Sequence, residues 1–353
     1  MSQVFNNPWL RGLFGDAEAD QIWSPETQLE HYLKFEIALA YALESVGNVP
    51  IGHGAAAAEA IQSETIDMER LHLGTERDGL PIPDLVRQLR SFAGNHADAV
   101  HTGATSQDVL DTALALSMRA LVALILQRCN SLDSSLSDLI LKHGSSQMMG
   151  RTRMQAALPI SAGDRIKTWR APLHGHIAQF IAVQPRVSQL QLGGATGTRS
   201  QYGDKADQIA EEMARQLDLN TAPHVWHTDR SAIALLCSNL SNLSGTLGKM
   251  GQDIALMAQQ GIDEIKLSSG GGSSAMPHKS NPILAELLVT LARFNATQLS
   301  GMQHAVIHEQ ERSGAAWMLE WMILPSMARA TCRSLSAAQS LCDQIQSIGG
   351  GPN

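Results

Sequence analysis

From Ser106 to Lys142 the chain runs without a proline or a glycine. Val109, Leu110, Leu114, Leu116, Leu121, Leu124 and Ile125 place apolar side chains on most faces of the helix this predicts. At 1.5 Å per residue, a helix over 105–142 is about 57 Å long. A helix that is apolar all round has to be enclosed by others, and this points to an all-α chain built as an elongated helical bundle. Thr105-Ser-Gln-Asp108 has the form of a capping box at its start. The core available to such a bundle has to come from Leu, Ala, Ile, Val and 14 Met, because only 4% of residues are aromatic. That composition suits helix packing better than sheet.

A second long helix is predicted over 231–260. Its Leu236, Leu240, Leu243, Leu247, Met250, Ile254 and Met257 alternate by four and three, a heptad pattern of near-parallel packing. Ser24-Pro25 reads as an N-cap and first helical position, followed by Leu29, Leu33, Ile37 and Ala40 on one face. Short helical pieces are expected over 52–80 and a helix from Pro83 to about Val100. Further helices are expected over 161–184, 200–217, 283–308 and 315–347, with 1–23 irregular. No segment shows convincing period-two alternation. The division expected is an N-terminal helical domain (1–103), a central long-helix bundle (104–347) and a tail (348–353). The segments 101–107, 144–159, 191–199 and 266–282 read as loops rich in Gly, Ser and Thr, placed at bundle ends where sites are assembled.

With 26 basic against 34 acidic residues and a net charge of −8, the chain lacks the basic surface of a nucleic-acid binder. Cys129, Cys237, Cys332 and Cys342 form no metal-binding spacing and read as reduced core thiols. No apolar leader and no membrane-spanning run is found, and a cytoplasmic location is expected.

Gly270-Gly-Gly-Ser-Ser-Ala-Met-Pro-His-Lys-Ser-Asn-Pro282 is the most unusual segment. Its glycines and serines suit a closing loop, and His278, Lys279 and Asn281 precede a helix whose N-terminal end favours an anion. Gly193-Gly-Ala-Thr-Gly197 lacks the lysine and preceding strand of a phosphate loop and is not read as one. His143 is a candidate acid or base. His174 and His176 read as structural, and Trp317 and Trp321, four apart, as bundle packing.

The segment GSSAMPHKSNP resembles the signature of the fumarase/aspartase superfamily. His101-Thr-Gly-Ala-Thr-Ser-Gln-Asp108 resembles its first block and Gly150-Arg-Thr-Arg-Met-Gln-Ala157 its second. The layout matches from about residue 5 to about residue 345. The resemblance implies a cofactor-independent and metal-independent enzyme that forms a carbanion beside a carboxylate. It implies proton transfer by Ser273, aci-carboxylate binding by Lys279 and Asn281, and substrate contacts from His101, Thr105, Ser106, Gln107, Thr152, Gln155, Ser274, Met276 and Arg312. It further implies a homotetramer in which three subunits share each site.

Two departures narrow the reading. Arg153 stands where the fumarate-releasing lyases carry a histidine, and no histidine stands in 75–83, where the adenylosuccinate branch has one. Leu192–Thr198, Val225–Arg230 and Glu311–Trp321 instead resemble the branch that lactonises carboxylated muconates. In lactonisation the substrate's own carboxylate is the nucleophile, so the protein must supply orientation, oxyanion stabilisation and a proton. Arginine cannot serve as a practical acid, but its fork can clamp an anion. The small-molecule partner expected is therefore a tricarboxylate or a close anionic analogue. A fumarate-releasing lyase and an inactive structural member remain as alternatives. The small C-terminal helical domain of many relatives is expected to be absent.

Overall fold

The computed structural model describes residues 4–5, 7–272, 275–276 and 279–350. Two short helices, α1 (Arg11–Phe14) and α2 (Ala17–Ile22), lie in the stretch expected to be irregular; Asp16 caps the second by accepting the Ala19 N–H. The N-terminal unit follows with α3 (Pro25–Ser45), α4 (His53–Ser63), α5 (Met68–Asp78) and α6 (Ile82–Ala93). Ser24 caps α3 as its sequence implied, its hydroxyl accepting from the Thr27 N–H. α3 buries Phe35, Leu39, Ala40, Ala42 and Leu43 completely, while Leu29, Leu33 and Ile37 of the expected stripe pack half-buried against the same core.

Five long helices make the bundle: α7 (Ser106–His143), α8 (Ala162–Val187), α10 (Ser231–Met257), α11 (Ile283–His304) and α12 (Ala315–Gln344), with α9 (Ala206–Leu217) packed on α3. The seven seam residues of α10 are all at most 2% exposed, as the heptad spacing implies. Gly248 and Gly251 let α11 approach closely: a Cβ at either would sit 2.5 Å from Ala292 Cβ or the Ala285 carbonyl. Buried Asn295 donates to the Ser244 and Thr331 hydroxyls at 2.7 and 2.9 Å, fixing the register of α10, α11 and α12.

Three expectations are corrected. The segment 144–159 is not a loop but largely a hairpin of β1 (Gln147–Thr152) and β2 (Gln155–Ser161). Residues 345–347 leave the last helix for β4 (Ile345–Ile348), which pairs with β3 (Ile265–Leu267). The hairpin escaped notice because β2 is exposed along most of its length, so no buried face imprints an alternation. Third, α7 does contain a window of mean hydropathy 2.0, apolar enough to cross a bilayer, but 61% of that window is buried in the protein, as in a core helix.

The two apolar cores do not divide at residue 103. The N-terminal core takes in Val109 and Leu116 of α7 together with Leu190, Leu192, Tyr202, Ile209 and Met213, while Phe5 and Ala19 belong to the bundle core. One chain covers most of the apolar surface of α7 and α10, so their length alone gives no reason to associate. The four cysteines are free and buried, and burial pushes the thiols of Cys129 and Cys342 up to about 12.

Candidate active site

The first block packs around a single carboxylate. Asp108, in the first turn of α7 and fully buried, accepts the Thr105 N–H at 2.9 Å, the acidic half of the expected capping box. It also accepts the backbone N–H groups of Gly193 and Gly194 at 2.7 and 2.9 Å and meets His227 Nε2 at 2.8 Å. The glycine loop 193–197 therefore does cradle an anion, but the anion is the chain's own. Gly103 must be glycine: its φ is +81°, and a Cβ there would run into the Tyr202 ring. Thr105 and Ser106 remain half-buried at the mouth of this arrangement.

His101 has a left-handed backbone (φ 59°) and its Nδ1 lies 2.6 Å from Glu36, which is fully buried. Burial works against the imidazolium, but the charge and hydrogen bond of Glu36 prevail and raise the His101 pKa above its ordinary value. Gln107, expected as a substrate contact, is fully buried; its amide nitrogen donates to Asp111 at 3.0 Å and to the His227 carbonyl at 2.8 Å, while its Oε1 has no partner among the described residues.

Beneath the first block lies a charge cluster. Arg230, 1% exposed, makes bidentate hydrogen bonds to Asp111 (2.8 and 3.0 Å) and to Glu320 (3.0 and 2.5 Å), and its guanidinium stands 5.1 Å from the Trp226 ring centroid. Burial pushes the Glu320 carboxyl up against the pull of Arg230. Arg312 reaches the same end, donating to the Ala195 carbonyl at 3.1 Å. Trp317 is buried and packs edge-on against Trp321 at 4.7 Å, as their spacing implied. His176 meets the Thr246 hydroxyl at 2.8 Å and serves packing.

The remaining candidates sit at the other end of the bundle. Thr152 and Gln155 pair across a two-residue turn whose central residues, Arg153 (φ 50°) and Met154 (φ 68°), are both left-handed without being glycine. Such a turn closes a hairpin well but ordinarily recruits Asn and Gly. All four side chains of the tip are exposed. His143 closes α7 at this end; its Nε2 is buried without a partner among the described residues, and burial, aided by Lys142, lowers its pKa. The loop before α11 is pinched at its base by reciprocal backbone bonds between Gly271 and Asn281 at 2.8 and 2.9 Å, and Lys279 N–H donates to the Met276 carbonyl at 3.0 Å. Lys279 and Met276 are exposed and Asn281 is half-buried. Ser273, Ser274 and His278 lie outside the described residues.

The ends are joined by α7, whose 38 residues span about 57 Å. One chain therefore presents His101, Thr105, Ser106 and Arg312 at one end, and Thr152, Arg153, Gln155, Lys279, Asn281 and His143 at the other.

The comparisons with known proteins give this arrangement its family. A family model described as Lyase matches residues 6–296. The 3-carboxy-cis,cis-muconate cycloisomerase of Pseudomonas aeruginosa is 33% identical, over 98% of this chain and 77% of the relative. Trans-aconitate decarboxylase 1 of Mycosarcoma maydis is 31% identical over 96% of the chain and 69% of the relative. The crystal structure of the 3-carboxy-cis,cis-muconate lactonizing enzyme from Pseudomonas putida superposes with a TM-score of 0.90 at 33% identity, covering 97% of this chain and 77% of that one. The chain belongs to the fumarase/aspartase superfamily of lyases.

For this superfamily member, the three stretches that resembled the lactonising branch prove to be neighbours in space. Leu192–Thr198 supplies the amides on Asp108, Val225–Arg230 supplies His227 and Arg230, and Glu311–Trp321 supplies Arg312 and Glu320. Sequence reasoning quoted all three without finding the Asp108–His227 and Asp111–Arg230–Glu320 contacts. The signal was weak: two acids three apart on an otherwise apolar helix, with amide, histidine and arginine partners 85 to 119 positions away.

Proposed function

We propose that the protein is a cycloisomerase that lactonises 3-carboxy-cis,cis-muconate, or a close anionic analogue, in the degradation of aromatic compounds in the cytoplasm. The observation that carries this reading is Arg153. It occupies the position of the lyases' histidine, and it stands exposed at a strained hairpin tip with its guanidinium unpaired among the described residues. A lyase needs a proton for a departing group there; lactonisation has no external leaving group, and its substrate carries three carboxylates to be held. Relatives named as the cycloisomerase support the reading, and relatives with other activities make the substrate the point to be tested.

In the proposed reaction a carboxylate oxygen of the substrate bonds to the ring-closing carbon and the adjacent carbon takes up the electron pair. Lys279 and Asn281 stabilise the resulting aci-carboxylate, the first block and Arg312 hold the other carboxylates, and Ser273 delivers the proton, with His143 next in line. The separation of the two groups of residues requires that different chains meet, and a homotetramer with each site shared by three subunits satisfies this.

Ultraviolet absorbance of carboxymuconate should fall on adding the purified protein, while adenylosuccinate and argininosuccinate are left unchanged. Turnover of a succinyl adduct in place of carboxymuconate defeats the reading. Mixing an inactive Thr105 variant with an inactive Lys279 variant should restore part of the activity after subunit exchange. An active monomer in light scattering defeats the shared site.

A further inference from the structure

The hairpin tip, the start of α8 and the C-terminal part of α10 enclose a cavity of about 480 Å³, a size ordinary for a small-molecule site. Arg151, Arg153, Arg165 and Lys249 line it, against the two carboxylates Asp253 and Glu264. Arg151 pairs with Glu264, and Lys249 pairs with Asp253. Two cations are left over. The guanidiniums of Arg153 and Arg165 have no hydrogen bond or ion pair among the described residues. A cavity wall with a surplus of two guanidiniums stands out in a chain of net charge −8.

The backbone adds a second observation. The φ angles of Arg153 and Met154, 50° and 68°, are ones that any side chain but glycine's adopts at a cost. Both residues line this cavity. Strain of this kind persists where the surroundings hold it and concentrates at ligand clamps. Arg165 approaches from helix α8, a rigid element, so the two forks come from different parts of the chain.

We propose that this cavity is an anion subsite in which Arg165 acts together with Arg153 to hold a carboxylate of the ligand. Each guanidinium can donate two parallel N–H groups to a carboxylate, whereas the lysine and Arg151 are already committed to acids. The identification of that carboxylate as the 3-carboxyl of a carboxymuconate rests on the function proposed above; the existence of the subsite does not. Arg165 is then a residue that sets specificity, and it lies outside all three blocks of the superfamily signature.

The test is calorimetric titration of the full-length protein with tricarballylate, a saturated tricarboxylate that no step of the reaction can consume. Arg165→Gln should weaken binding by roughly tenfold or more, the usual worth of a charge-assisted hydrogen bond. Arg165→Lys, which keeps the charge and loses the fork, should fall between. The Arg153→Gln/Arg165→Gln pair should lose less than the product of the single losses, because both arginines grip one group. Wild-type affinity in Arg165→Gln overturns the proposal, as does failure of the wild type to bind tricarballylate. Kinetics separate this from the functional reading. Loss of binding in Arg165→Gln by a protein that leaves carboxymuconate untouched sinks the reaction and keeps the subsite. An unchanged KM and unchanged affinity in Arg165→Gln of an active cycloisomerase sinks the subsite and keeps the reaction.

Discussion

The two ends of the bundle treat charge in opposite ways. At the first-block end Asp108, Asp111, Glu320, Glu36 and Arg230 are all at most 1% exposed, and each is hydrogen-bonded to groups of the same chain. At the hairpin end the guanidiniums of Arg153 and Arg165 are unpaired among the described residues and Lys279 is exposed. Interlocked charges cannot move to a ligand without leaving a partner stranded in low dielectric, so the first end acts as a fixed template. Unpaired exposed charges lose little by turning to a ligand or to another chain. A template at one end and cations unpaired among the described residues at the other, about 57 Å apart, are the two halves that the proposed sharing of a site between chains would bring together.

The comparison breaks first at Arg230. Arg230→Met leaves two buried carboxylates facing each other and should destabilise the fold by about 3–5 kcal/mol, read as a lower urea midpoint. Arg165→Gln, at the open end, should change it by less than about 0.5 kcal/mol. Similar losses in the two variants would erase the distinction between the ends. Asp108→Asn turns an acceptor of four donors into a group whose amide nitrogen faces two of them, and should cost about 2–3 kcal/mol. Amide exchange should then rise at Gly193 and Gly194, while the hairpin amides stay unchanged. A uniform rise along the chain would mean that Asp108 does not specifically hold the glycine loop.

At the hairpin the expected sign reverses. Met154→Gly relieves a left-handed backbone and should stabilise the protein by about 1 kcal/mol, with the loss or gain read from thermal melting. A destabilised variant would show that contacts of the Met154 side chain, not turn geometry, decide the tip. The smallest effect concerns pH. Because Glu36 raises the His101 pKa in the fold, the stabilisation from that pair is complete below the unfolded histidine value of about 6.5 and is lost as pH rises through the higher folded value. The stability difference between wild type and Glu36→Gln should therefore shrink with rising pH across that window. A constant difference would mean that His101 does not titrate there.

Helices with buried faces were legible because periodicity is a local record of burial. The seam of α10 and the uninterrupted run of α7 needed no partner to be recognised, and the signature blocks identified the family. The hairpin over 147–161 was not legible, since β2 carries no buried face and the turn residues Arg153 and Met154 are not those its geometry prefers. Gln107 could be read from its block as a ligand contact. That its amide is spent on Asp111 and a carbonyl at His227 depends on a segment 120 positions away. Composition, helix periodicity and motif identity are properties of neighbours along the chain, and the sequence alone determined them. Which acid meets which base, and that the candidate site residues divide between two ends, are consequences of chain reversal over long separations; only the tertiary structure decided them, because the pairing of buried charges depends on where the helices place each group.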